Sequence, residues 1–230
     1  MDKYTTSGIF AFWKPKGISS NGFLNRIRKE IGIKKIGHAG TLDPLAEGVL
    51  VVGIGKGTKL LAEVTGVEKE YLAVACLGSV SETDDEEGTK TEIEVITTPA
   101  QEDVLLALSS FLNETEQIPP GYSAIKIKGK EAYKLARAGI NVEMKSRPAQ
   151  IKEIELISYE WPFISFRVIT GPGVYIRAIA RDLGIKLKVG GYLYSLVRTR
   201  VGSYTKNDAV LFEGATTLLC HPRENGSLYE

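Results

Sequence analysis

Residues 37–48, GHAGTLDPLAEG, set one histidine and one Asp-Pro pair among three glycines, directly before an apolar run that starts at Val49. Proline fixes its own backbone and glycine supplies bends, so the spacing predicts Asp43 on a constrained loop at a strand entrance. A carboxylate there has two readings. Aspartate before proline commonly starts a turn by bonding its own backbone. A carboxylate on a rigid turn can also act as nucleophile or base, provided a cation keeps it ionised. The rest of the chain must supply that cation.

Other groupings fall short of the chemistry they resemble. Gly53-Ile54-Gly55-Lys56-Gly57-Thr58 contains a Gly-Lys pair, but Gly57 stands where a Walker loop needs a hydroxyl for magnesium. It also lacks the third glycine spacing of a dinucleotide fingerprint. His38, His221, Cys76 and Cys220 show no paired-ligand spacing, so no metal is implied. Cys76, in the run Val74-Ala75-Cys76-Leu77, reads as a buried and inert thiol.

The 230 residues are 43% hydrophobic and 25% charged, a globular composition that excludes disordered and fibrous classes. The length suits one large domain or two small ones. Two cysteines cannot form a disulfide framework, and no apolar run approaches the roughly 20 residues that cross a bilayer. Met1–Gly8 lacks a basic head followed by an apolar stretch. The expectation is a cytoplasmic protein away from membranes.

The net charge of +1 conceals segregation: residues 1–66 carry ten basic and five acidic groups, and residues 67–122 carry two and thirteen. Residues 123–153 return to eight and three, and residues 167–206 to eight and one. Three basic blocks around an acidic one can converge into a cationic groove with an anionic back, which points to a polyanion partner. The same blocks also read as solvated surface charge.

Strands are predicted at Gly8–Phe12, Val49–Ile54, Tyr71–Leu77, Ile151–Tyr159 and Ile164–Ile169, with a last one between Tyr192 and Val201. Helices are predicted where Phe23, Leu24, Ile27 and Ile31 repeat after a cap at Ser19 or Ser20, and at Thr58–Val64, Gln101–Leu112, Lys130–Ala138 and Val174–Lys186. Ser81–Thr89 reads as an acidic loop. Without a regular βαβ rhythm, the pattern favours an α+β protein on a mixed sheet.

The chain resembles the tRNA pseudouridine synthases of the TruB type, in the stand-alone bacterial form. The resemblance runs through Gly8-Ile9-Phe10, Lys14-Pro15-Lys16-Gly17 with Ser19-Ser20, the GHAGTLDPLAEGVL segment, Gly57-Thr58-Lys59 and Lys69-Glu70-Tyr71. It continues through Leu77-Gly78, Thr83-Asp84-Asp85 with Gly88, Pro120 with Tyr122-Ser123-Ala124 and Lys126, Gly173-Val174-Tyr175-Ile176-Arg177 and Asp182-Leu183-Gly184. The fold it implies is a mixed, mainly antiparallel β-sheet with flanking helices. A thumb-like insertion over about residues 117–147 would grip RNA.

The activity implied is isomerisation of uridine 55 in the T-arm of tRNA to pseudouridine, by base flipping, glycosidic cleavage and rejoining at C5, with no cofactor. Asp43 matches the family's essential aspartate, Arg177 the arginine that pairs with it, and Asp85 a loop carboxylate of the same network. Tyr71 matches the tyrosine that stacks on the target base. His38 matches the residue that helps fill the vacated stack. Lys16, Lys59, Lys126, Lys128, Lys130, Lys134 and Arg147 are candidate phosphate contacts, and Tyr122, Tyr133 and Tyr175 candidate neighbours of the RNA. Read alone, Arg177 is a helix surface charge, Tyr71 a strand-core aromatic and His38 a turn residue.

Glu47 stands where the family usually has a small residue, and Val174 replaces a customary hydroxyl residue. The sequence stops soon after Lys206-Asn207-Asp208, where family members commonly continue into an RNA-binding PUA domain, so the expectation is the catalytic domain alone, over 1–230. It is further expected to be a monomer that needs no protein partner. Two other classes compete. One is an RNA-binding or RNA-folding module, or a guide-RNA-dependent synthase subunit. The other is a small-molecule lyase or glycosidase using Asp43 with Glu47 or Asp85.

Overall fold

A computed structural model describes residues 7–112, 115–127, 129–140 and 143–212. Lys128, Cys220 and His221 lie outside these described residues. The chain divides into two compact units, Met1–Thr65 with Arg200–Glu230, and Gly66–Thr199.

In the first unit, GIFAFWK, rich in aromatic residues that favour strands, forms β1 (Gly8–Lys14), which stops at Pro15 because proline has no N–H for the ladder. Helix α1 (Ser20–Ile31) follows. The Ser19 side chain accepts the Gly22 N–H at 3.0 Å as its N-cap, and Gly32 closes it in the left-handed region at φ 70°. Arg28 and Lys29 in the last turn complement the helix dipole. Next come β2 (Ile36–Ala39), β3 (Glu47–Ile54), a 3-10 turn at Gly55–Leu60 and the short α2 (Leu61–Thr65).

β3 lies between two antiparallel partners, β1 (Gly8↔Ile54 to Lys14↔Gly48) and β2 (Ile36↔Ile54 to Ala39↔Val51). The α1 stripe Phe23, Leu24 and Ile27 buries against Phe12, Leu50, Val52 and Ile54. Phe12 and Phe23 meet edge to face with centroids 6.3 Å apart, a favourable aromatic geometry.

The Gly53–Thr58 glycines serve packing. A Cβ on Gly57 would fall 2.1 Å from the Gly8 carbonyl oxygen, and one on Gly53 would fall 2.8 Å from the Gly57 oxygen. Backbone cannot yield to that overlap without moving a strand. Gly57→Ala should therefore cost about 1–3 kcal/mol or more of stability, read by urea unfolding at constant m-value.

The second unit is built on β4 (Lys69–Leu77), which opens it. A hairpin of β5 (Ser79–Ser81) and β6 (Lys90–Glu92) follows, with residues 82–89 at its tip. Helix α3 (Gln101–Ser109) and β7 (Thr115–Gln117) lead to a small hairpin of β8 (Lys126–Ile127) and β9 (Lys130–Glu131), then α4 (Ala132–Arg137) and β10 (Arg147–Ala149). β11 (Ile151–Glu160), β12 (Phe163–Thr170), α5 (Ile176–Lys186) and β13 (Gly191–Val201) complete it. These long strands stand in the order β11-β12-β4-β13. Ile164, Phe166 and Val168 of β12 alternate inward at 0% exposure, and α5 buries Ile176, Ile179, Ala180 and Leu183. β7 and β10 pair antiparallel with Gln117 opposite Arg147, so residues 118–146 leave and return at one paired stem.

The chain re-enters the first unit through β14 (Tyr204–Thr205), a 3-10 turn at Lys206–Asp208 and β15 (Val210–Leu211), which runs parallel to β1. The fold is α+β on a mixed, mainly antiparallel sheet, as the element pattern predicts.

Several expectations change in detail. Residues 36–39 form a strand, so His38 is a ladder residue opposite Val52 rather than a turn residue. Helix is expected from Lys130, but Lys130 and Glu131 are strand and α4 begins at Ala132, because Ile127↔Lys130 pairing captures them first. The last helix starts at Ile176 instead of Val174. The turn at 172–173 leaves Tyr175 extended at its N-cap. The acidic Ser81–Thr89 stretch is the tip of a hairpin rather than a free loop.

Candidate functional site

Asp43 is half-buried on the 40–46 loop of the first unit. Its carbonyl accepts the Ala46 N–H at 3.1 Å, closing the turn that Pro44 predicts. Two further ties fix its neighbours. The Ser20 hydroxyl, 2% exposed, donates to the Leu42 carbonyl at 2.9 Å and accepts the Leu42 N–H at 2.8 Å. The Gly17 N–H donates to the Pro44 carbonyl at 2.7 Å. Lys14 is wholly buried and spends its ammonium on the Pro15 and Ile18 carbonyls at 2.9 and 2.7 Å, which holds the 15–18 turn in place. His38 is half-buried on β2, and Lys16 and Lys59 are exposed.

In the second unit, Arg177 stands in the first turn of α5 and is only 5% exposed. Read alone it was a surface charge; packing places it inside. Its guanidinium donates to the Thr83 and Tyr122 carbonyls, each at 3.0 Å, and lies 3.4 Å from Asp85 Oδ2. Asp85 is 3% exposed and also accepts from the Thr83 hydroxyl and from the Glu87 N–H at 3.0 Å. A buried charge needs such company, since desolvating it alone costs several kcal/mol.

One helical turn later, Arg181 donates to Asp84 Oδ2 at 2.8 Å, Asp182 Oδ1 at 2.8 Å and the Ile118 carbonyl at 2.7 Å. Burial opposes its charge, but the Asp182 and Asp84 carboxylates hold its pKa above the ordinary value. Burial pushes the Asp84 carboxyl up, and Arg181 draws it partly back. Gln117 bonds both backbone groups of Tyr175, taking its N–H at 2.8 Å and donating to its carbonyl at 3.0 Å. The two α5 arginines and Gln117 thus fasten the hairpin tip at 83–85 and the 117–122 segment to one helix.

Tyr71 is buried at 7% exposure on β4, paired in register with Val168. Tyr122 is half-buried, and its phenol donates to Glu82 Oε1 at 2.7 Å, a bond that raises its pKa. Tyr175 is half-buried, and Lys126, Lys130, Lys134 and Arg147 are exposed around the 118–146 segment. Arg177, Asp85 and Tyr122 are therefore brought together, along with Tyr175 through Gln117. Asp43 and His38 share the first unit with Lys16 and Lys59. In the sequence Ser20 reads only as a candidate cap and a motif residue, and Asp84 only as part of a motif, while Gln117 and Arg181 carry no signal beyond the i, i+4 spacing of Arg177 and Arg181 on a predicted helix.

Lys69, beside Tyr71 on β4, is lowered to about 8 from its ordinary 10.5, first by burial and then by the Arg198 charge. Between those two pH values the unfolded chain holds more protons than the folded one, so this group makes stability rise with pH across that window. Below about pH 8 both states are protonated and its full penalty applies. Lys69→Met should flatten that rise in unfolding free energy measured from pH 7 to 11.

The TruB family pseudouridylate synthase (N terminal domain) model matches residues 28–176. The chain belongs to this family. Its TruB-family span opens inside α1, carries Asp43, Tyr71, Asp85 and Tyr122, and ends one residue before Arg177. The chain is 41% identical over 211 residues to the tRNA pseudouridine synthase B of Clostridium novyi (strain NT), covering 92% of this chain and 73% of that protein. It is 40% identical over 227 residues to that of Mycobacterium sp. (strain KMS), covering 97% and 75%.

Among solved structures, a chain of a Cbf5-Nop10-Gar1 complex superposes with a TM-score of 0.68 at 27% identity, covering 86% of this chain and 50% of that one. A chain of an H/ACA RNP bound to a substrate RNA containing 2'-deoxyuridine gives 0.64 at 25%, covering 86% and 49%. The chain thus spans about half the length of those solved chains. Pseudouridylate synthesis is an isomerisation, so membership of this family makes the chain an isomerase by class. No described helix is long and apolar enough to cross a membrane.

Proposed function

We propose that this chain converts uridine 55 in the T-arm of tRNA to pseudouridine, acting as a monomer without a protein partner. The observation that carries the reading is the loop-held Asp43, inside the TruB-family span, in a chain that also keeps Arg177 buried and seated on two carbonyls and Asp85. A reaction through a charged intermediate favours an anion and a cation on fixed supports, and the backbone ties of the Asp43 loop and the bonds of the Arg177 guanidinium support that reading.

The target base lies stacked in RNA and must be flipped out at a cost of a few kcal/mol. His38 fills the vacated stack, and Tyr71 receives the extruded base on its ring. Asp43 supplies the anionic oxygen for glycosidic cleavage, and Arg177 contributes positive charge to the reaction. The C1'–N1 bond breaks, the uracil turns, and C1' joins C5. N1 ends protonated and the C5 proton leaves to solvent, so atoms and electrons balance without a redox step. Lys16, Lys59, Lys126, Lys130, Lys134 and Arg147 meet phosphates, and the 118–146 segment grips the arm as a thumb, with Tyr122 and Tyr175 at its base.

The test is release of tritium from a T-arm stem-loop labelled at uridine C5, with this protein alone. One tritium released per RNA supports the reading. Bound but unmodified RNA would leave only a binding module, and full dependence on added protein and guide RNA would favour the arrangement of the Cbf5 complexes. Binding should weaken with salt, the slope of log affinity against log salt steepening by roughly one unit per phosphate neutralised. A salt-independent affinity refutes the cationic surface.

A further inference from the structure

We infer that Ser20 is a positioning residue for Asp43, an inference that rests on the functional reading above. One hydroxyl satisfies both backbone groups of Leu42, the residue immediately before the aspartate, at 2.9 and 2.8 Å and almost wholly out of water. The N–H and C=O of Leu42 belong to the two peptide units on either side of its Cα, and with both tied to one side-chain oxygen the residue cannot rotate about φ or ψ without losing one of the two. The residue immediately after Asp43 is held as well, through the Gly17 N–H on the Pro44 carbonyl at 2.7 Å. Asp43 therefore hangs between two tied residues.

The anchor of this latch is rigid. Ser20 opens α1, which Phe23, Leu24 and Ile27 seat in the core at 3% exposure or less. Its neighbour Ser19 already serves as the helix cap, which leaves the Ser20 hydroxyl for the loop. Gly17 holds φ 86°, a left-handed conformation that side chains resist, although nothing lies within 4 Å of where its Cβ would sit. Its constraint is conformational, and the buried Lys14 ammonium fixes the same turn. α1 and the 15–18 turn thus form a bracket that transmits the position of the hydrophobic core to the Asp43 carboxylate.

The physical consequence is a rate effect. A reacting group displaced by about 1 Å loses up to a hundredfold, whereas phosphate contacts elsewhere on the RNA are unaffected. Ser20→Ala should lower the single-turnover rate of tritium release by about ten- to a hundredfold at saturating enzyme, with the stem-loop dissociation constant unchanged. Ser20→Thr keeps the hydroxyl and should recover most of the rate.

Amide hydrogen exchange reads the latch directly and without activity. In Ser20→Ala, exchange at Leu42 should accelerate while β3 and the interior turns of α1 keep wild-type protection. An undiminished rate in Ser20→Ala, in an enzyme that does require Asp43, overturns the inference alone. So does parallel loss of rate, binding and protection throughout the unit, with no recovery in Ser20→Thr, because that marks a serine needed only for folding. Failure of wild type to release tritium, or a fully active Asp43→Asn, sinks the functional reading and takes this inference with it.

Discussion

Asp43→Asn should lower tritium release by about 10⁴-fold or more, the order seen when a positioned carboxylate in a catalytic set loses its charge but keeps its shape. The substitution is nearly isosteric. The ties that hold the loop run through the backbone of Leu42, Asp43 and Pro44 and through Ser20 and Gly17, none of which needs the carboxylate to be charged. Urea unfolding of the variant, read beside its rate, separates loss of the charge from loss of the fold. Stem-loop affinity, set by phosphate contacts, should hold. A variant that retains a tenth of the wild-type rate removes Asp43 from the chemistry and restores the turn-forming reading of its Asp-Pro step.

Arg177→Met is expected to damage both stability and rate. Removing one partner of a buried pair strands the other, at about 3–5 kcal/mol, a large part of the 5–15 kcal/mol that holds a domain together. Here Asp85 loses its guanidinium, and the Thr83 and Tyr122 carbonyls lose their donors. Arg177→Met with Asp85→Leu removes both charges and should recover much of the stability while recovering none of the rate. That split separates a structural pair from a working cation.

Arg177→Lys is the sharper variant for activity. A point-like ammonium cannot set one nitrogen on the Thr83 carbonyl and another on the Tyr122 carbonyl as the planar fork does, so a preserved charge with lost geometry should still cost most of the rate. Urea unfolding and single-turnover release measured on the three variants decide the matter. A stability loss below about 1 kcal/mol in Arg177→Met would contradict the burial of the pair.

The elements were legible where side chains repeat with a strong period. Phe23, Leu24 and Ile27 announce α1, and the β-branched run from Val49 announces β3, because amphipathic faces must bury whatever their neighbours are. β2 was not legible. Ile-Gly-His-Ala has too little β character to be read alone, and only pairing with β3 makes it a strand. Lys130 and Glu131 lie in a region of helical spacing, yet a two-residue hairpin claims them.

The α+β class, the rigid loop around Asp43 and the family that the motifs resemble could be read along the chain, since turn chemistry and hydrophobic period are local properties. Where the charges live depends on packing. Arg177 and Asp85 are 92 positions apart in the chain (177 less 85) and meet at 3.4 Å, and Ser20 reaches Leu42 across 22 positions. No local pattern encodes such meetings, because the free energy of a buried charge or hydroxyl depends on partners that packing brings in from elsewhere.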